Sequence, residues 1–101
     1  VVVKDGAVLA VEAIDGTDAT ISRGGRLAHG GGVVVKVAKP AQDMRFDIPT
    51  IGRDTLETAI NAGIQAIALE AGKALIMEAD LLIQRADAAG VDIVLVSEQD
   101  M

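Results

Sequence analysis

Three times along the chain a segment ends at a glycine and an almost unbroken apolar run begins. The runs are Val33–Ala38 after Gly32, Ile64–Leu69 after Gly63, and Val91–Val96 after Gly90. Runs of this length without polar alternation predict strands buried on both faces. Consecutive parallel strands need a crossover, usually a helix, and the segments before these runs have helical period. The first helix is predicted within "GTDATISRGGRLAHGGG", residues 16–32, capped by Thr17 or Asp18, weakened by Gly24 and Gly25, and stopped by Gly30–Gly32. The second falls in "RDTLETAINAG", residues 53–63, where Leu56, Ala59, Ile60 and Gly63 share a face. The third is "EADLLIQRADAAG", residues 78–90, and "KALIM", residues 73–77, reads as a short strand. At the start, "VVVKDGAVLAVEA" sets two β-rich runs around Asp5-Gly6, a strong two-residue hairpin signal. The expected fold is α/β, a mixed and largely parallel sheet with about three helices and an N-terminal β-hairpin, in one domain over residues 1–101.

Composition narrows the picture. Half of the 101 residues are hydrophobic, but Phe46 is the one aromatic side chain, so Val, Ile, Leu, Ala and Met must build the core. The net charge of −6 repels phosphate backbones and argues against general nucleic-acid binding, so any anion site must be a local basic pocket. Without cysteine there are no disulfides, thiolate metal sites or cysteine nucleophiles. The longest apolar runs fall far short of the roughly 20 residues that span a bilayer. The chain opens on a strand-like run with no Met, and the natural protein is expected to begin upstream.

Candidate chemistry concentrates in "KVAKPAQDMRFDIPTIG", residues 36–52. Lys36, Lys39 and Arg45 are three of the nine cationic side chains, set beside Asp43 and Asp47. In open α/β sheets ligands gather at the carboxyl ends of the strands, and this stretch follows one. Lys36 either snorkels or points at a partner, and Arg45 has the fork that grips phosphate or carboxylate. Asp47, flanked by Phe46, Ile48 and Pro49, suits a magnesium ligand or a positioned base. A salt-bridged loop that holds only its own shape is the alternative. Glu12 and Glu70, at the ends of two other strands, are either rim acids of the same site or solvated strand ends. Gly16, Thr17 and Asp18 open a helix whose N–H groups either receive an anion or are simply capped. His29, the one histidine, lies near a helix C-terminus, where a cation is favoured. No Walker loop, GxGxxG, HExxH or Ser-His-Asp arrangement is present.

Three stretches carry a resemblance: "VVVKDGAVLAVEAIDGTD", "GGVVVKVAKPAQDMRFDIPTIGRDTLE" and "AGIQAIALEAGKALIMEAD". Together they resemble the C-terminal domain of the LpxI family, formerly the DUF1009 family, over nearly the whole chain. The resemblance implies a longer, two-domain enzyme with substrate between the domains. Its members hydrolyse the pyrophosphate bond of UDP-2,3-diacylglucosamine to UMP and lipid X in lipid A biosynthesis, with a divalent metal, Mg²⁺ or Mn²⁺. Water attacks the α-phosphorus, and the family's essential aspartate falls on Asp47. On that footing Asp47 binds the metal or orients the water. Lys36, Lys39 and Arg45 neutralise phosphate, Glu12, Asp43 and Glu70 are further metal candidates, and Gly16, Thr17 and Asp18 shape an anion site. The resemblance also implies a missing N-terminal domain that helps build a groove for the acyl chains. This domain alone is then expected to be inactive, and the enzyme to work in the cytoplasm at the inner face of the membrane. The competing expectations are an oligomerisation module, for instance a homodimer, or a nucleotide- or anion-binding module without hydrolysis.

Overall fold

A computed structural model describes residues 1–37, 50–72 and 74–97. The elements in chain order are β1 (Val2–Lys4), β2 (Ala7–Ala10), α1 (Gly16–Ala28), β3 (Val33–Lys36), β4 (Thr50–Ile51), α2 (Arg53–Asn61), β5 (Ala66–Glu70), β6 (Leu75–Ile76), α3 (Ala79–Ala89) and β7 (Asp92–Val96). The main sheet has the order β2-β1-β3-β5-β7, and β4 and β6 form a separate parallel pair. Strand β1 is antiparallel to both neighbours, whereas β3, β5 and β7 are mutually parallel. Strands β2, β3, β5 and β7 therefore all run in one direction, with β1 alone reversed. This is the mixed, largely parallel α/β sheet that the sequence pattern predicts.

Local chemistry accounts for the turns. Asp5 and Gly6 both have positive φ, 52° and 80°, the geometry of the tight two-residue hairpin turn that joins β1 to β2. Helix α1 ends at His29, itself left-handed at φ 54°, and Lys4 Nζ donates to the last-turn carbonyl of Ala28 at 2.7 Å. A cation there complements the negative end of the helix. The N-cap of α1 is Asp15 rather than Thr17 or Asp18, and no side chain caps the helix start. The Thr17 hydroxyl is instead turned back onto the Glu12 carboxylate.

The helices lie on one face of the sheet. Parallel β3-α2-β5 and β5-α3-β7 units are right-handed by strong preference, and successive strands added in the same direction put both helices on the same side. Helix α1 packs beside α2 and over β1 and β2. Under them, Val2, Val34, Ile67 and Leu69 are fully or almost fully buried. Each side chain of this size stabilises by roughly 1.5–3 kcal/mol when withdrawn from water. The other face is apolar too but open: Val33 and Val35 are half-buried, while Val8 and Val94 are 61% and 43% exposed. The expectation that the Val33 strand is buried on both faces is thus corrected. A valine-rich run encodes strand formation on either face, but the side on which the crossovers land decides which face is covered.

Gly24 and Gly25 serve close packing. A methyl group at Gly24 would overlap the Val2 side chain, and one at Gly25 would overlap the Ala62 carbonyl and side chain. Their cost in helix propensity is the condition for α1 to lie against β1 and α2. The two principles predict opposite signs for Gly25→Ala. Propensity alone predicts stabilisation by about 1 kcal/mol. Overlap with a backbone carbonyl that cannot rotate away predicts destabilisation by about 1–3 kcal/mol. We expect the latter, read as a lowered melting temperature; a raised one would refute the close-packing role.

Candidate functional site

Because four strands share a direction, their carboxyl ends form one rim. Lys36 is the last residue of β3 and Glu70 the last of β5, and Glu12 follows β2, which stops at Ala10 rather than at Glu12. The start of α1 at Gly16 is reached from this rim through residues 11–15. The reversed strand β1 brings its first residue here as well. The Val35 N–H donates to the Val1 carbonyl at 2.8 Å.

The rim residues differ in their surroundings. Lys36 is in register with Leu69, so it lies on the helix-covered face, whereas Glu70 falls on the opposite parity of β5. The Lys36 ammonium donates to the Thr50 carbonyl at 2.8 Å, partly buried. Glu70 is 6% exposed. Glu12 is exposed and accepts the Thr17 hydroxyl. Asp15 receives Arg23 Nη1 at 2.8 Å, and the same guanidinium donates to the Val11 carbonyl at 2.9 Å. Gly16 is left-handed at φ 92°, a conformation glycine adopts without strain, and Asp18 stands in the first turn of α1. Asp18 in the first turn, and Asp15 paired with Arg23, place negative charge at the positive end of the helix dipole. Among the described residues no group of three acidic or histidine side chains converges on one point. Lys39, Asp43, Arg45 and Asp47 lie outside the described residues. His29 is exposed at the far end of α1.

Beside the rim, a groove of about 440 Å³ runs between α2 and α3. Leu56 and Leu82 form its buried floor, Met77 and Leu81 its exposed apolar sides, and Arg53 and Glu78 also line it. Arg85 spans the groove wall with a forked pair to Glu57, 2.7 Å from Nε and 3.0 Å from Nη2. Sequence reasoning missed both this groove and the role of Thr50. Glu57 and Arg85 are 28 positions apart, and no local spacing signals their pairing. The hydrogen bond from Arg85, aided by its charge and that of Arg53, holds the Glu57 carboxyl below its ordinary value of 4.5.

Taken together, the helices on one face and the mixed, largely parallel sheet, with charged groups on the carboxyl rim of its parallel strands, define an α/β domain of the open-sheet class. Its family follows from comparison: the LpxI C-terminal domain matches residues 1–94, and the chain belongs to that family. The UDP-2,3-diacylglucosamine pyrophosphatase LpxI of Caulobacter vibrioides is 40% identical over an alignment of 107 positions that takes in 98% of this chain. The chain spans 38% of that relative's length. No helix among the described residues is long and apolar enough to cross a membrane.

One electrostatic test belongs to the groove. Arg85→Gln is expected to return the Glu57 midpoint upward toward the ordinary carboxylate range in an NMR titration. The pair contributes stability above that range and loses it as pH falls through the depressed Glu57 value, because the unfolded chain then binds the extra proton. Both side chains are exposed, so the effect on stability is small. An unmoved Glu57 midpoint would show that Arg85 does not hold it.

Proposed function

We propose that this chain is the C-terminal catalytic domain of a two-domain enzyme that hydrolyses the pyrophosphate bond of UDP-2,3-diacylglucosamine, releasing UMP and lipid X. The reading rests on family membership, on the substrate in the Caulobacter relative's name, and on one geometric observation. That observation is the shared rim: the stretch from Lys36 to Thr50 departs from the carboxyl end of a central parallel strand, beside Glu12 and Glu70. Cleaving a pyrophosphate requires neutralised phosphoryl oxygens and a positioned water.

In this proposal Asp47 orients the attacking water or holds the metal, and Lys39 and Arg45 neutralise phosphate. Lys36 supplies further positive charge at the root of the same stretch. Gly16, Thr17 and Asp18 shape the adjoining start of α1. The donors assigned to a divalent ion, Asp47, Asp43, Glu12 and Glu70, offer only carboxylate oxygens, which fits Mg²⁺ or Mn²⁺. Among the described residues no group of three such donors converges, so the proposal relies on Asp43 and Asp47 beside them. When bound, it supplies charge stabilisation to the phosphoryl oxygens. The remaining domain is expected to complete the substrate cleft, and the domain by itself to be inactive. The enzyme is placed, as part of the same proposal, in the cytoplasm beside the membrane that carries its glycolipid substrate.

The deciding measurement is UMP release from UDP-2,3-diacylglucosamine with Mg²⁺ or Mn²⁺, by this domain and by the full-length protein. Activity is expected in the full-length protein alone, and Asp47→Ala is expected to lower kcat by about a hundredfold or more with the fold intact. Substrate binding without UMP release would favour an anion-binding module. Near-normal turnover by Asp47→Ala would remove that residue from the mechanism.

A further inference from the structure

The small β4–β6 pair raises a mechanical question. Each strand has two residues, and a two-stranded ribbon of that size does not hold itself together in water. Its internal link is the Met77 N–H donating to the Ile51 carbonyl at 2.9 Å, alongside the Thr50–Leu75 and Ile51–Ile76 register. Its apolar anchor is Ile51, which is completely buried in the core. On the polar side, the Lys36 ammonium reaches from the end of β3 to the carbonyl of Thr50, the first residue of β4.

That bond joins two points fourteen residues apart in sequence. It connects the main sheet to the small one, and through Gly52, whose carbonyl accepts the Leu56 N–H at 3.1 Å, to the first turn of α2. A partly buried ammonium donating to a backbone carbonyl offsets its own desolvation and gains a partner of fixed direction. The acceptor is main chain, so the contact needs no substrate.

We propose that Lys36 is a positioning residue: its bond to the Thr50 carbonyl ties the β4–β6 pair to the sheet rim and fixes both ends of the stretch that carries Lys39, Arg45 and Asp47. The effect on catalysis rests on the pyrophosphatase reading above, whereas the tether itself does not. Lys36 then acts through the placement of other groups, and its charge at the rim is secondary.

Two variants in the full-length protein test this. Lys36→Met keeps the aliphatic stem and removes the donor; Lys36→Arg keeps a donor that can reach a carbonyl. Without substrate, the Met77 amide is expected to exchange with solvent about tenfold or more faster in Lys36→Met. The Ile67 and Leu69 amides of β5 should be unchanged, and Lys36→Arg should recover most of the protection. In UMP release, Lys36→Met is expected to lower kcat with little change in KM, and Lys36→Arg to restore part of it. Wild-type exchange at Met77 in Lys36→Met would overturn the tether. Raised KM with kcat retained would make Lys36 a substrate contact instead, and faster exchange with unchanged kcat would remove its catalytic role. Absence of UMP release from the unaltered full-length protein would refute the pyrophosphatase reading and leave the exchange comparison to decide the tether.

Discussion

The approach of α1 to its neighbours governs the rest of the molecule. At Gly24 the helix has no side chain where Val2 stands, and at Gly25 none where the backbone of Ala62 passes. This lets α1 settle on the β1 strand and against the end of α2 at once. Val2 is thereby sealed, and β1 is held between β2 and β3 as the one reversed strand in the sheet. A larger residue at either position would lift the helix and open the core at its N-terminal side. The lost propensity of two glycines, about 1 kcal/mol each, is offset by the apolar area that close contact removes from water.

From that packing follows the rim. With β1 reversed and the remaining strands of the main sheet aligned, Glu12, Lys36, Glu70 and the root of α1 come to one end of the sheet. The helices begin at this end and run back along the covered face, so their positive N-terminal poles face the same side. The rim combines a buried acid at Glu70, an exposed acid at Glu12 and a cation at Lys36 engaged with main chain.

The open face of the sheet contrasts with the covered one. Val3, Val33 and Val35 are half-buried there, and the strands remain apolar up to Val94. The groove between α2 and α3 is the other apolar feature, but it is framed by charge, with the Arg85–Glu57 pair holding one wall.

Much of this architecture was legible in sequence because its signals are local. Asp5-Gly6 carries the left-handed conformations its turn demands, Gly63 and Gly90 end helices at positive φ, and the valine and isoleucine runs become strands. The "RFD" stretch and its neighbours were legible as a family signature, and the chain does belong to that family. The partner of Lys36 was not legible, nor was the Glu57–Arg85 clasp, since each joins residues many positions apart. Asp15, rather than Thr17, heads α1, and the Thr17 hydroxyl donates to Glu12 instead of accepting from the helix start. The sequence by itself determined which segments are helix, strand or turn, because those choices depend on backbone freedom and on neighbours a few residues away. Only the tertiary structure decided which sheet face is covered and which polar groups meet, because those depend on the hand of the crossovers and the closeness of packing between distant segments.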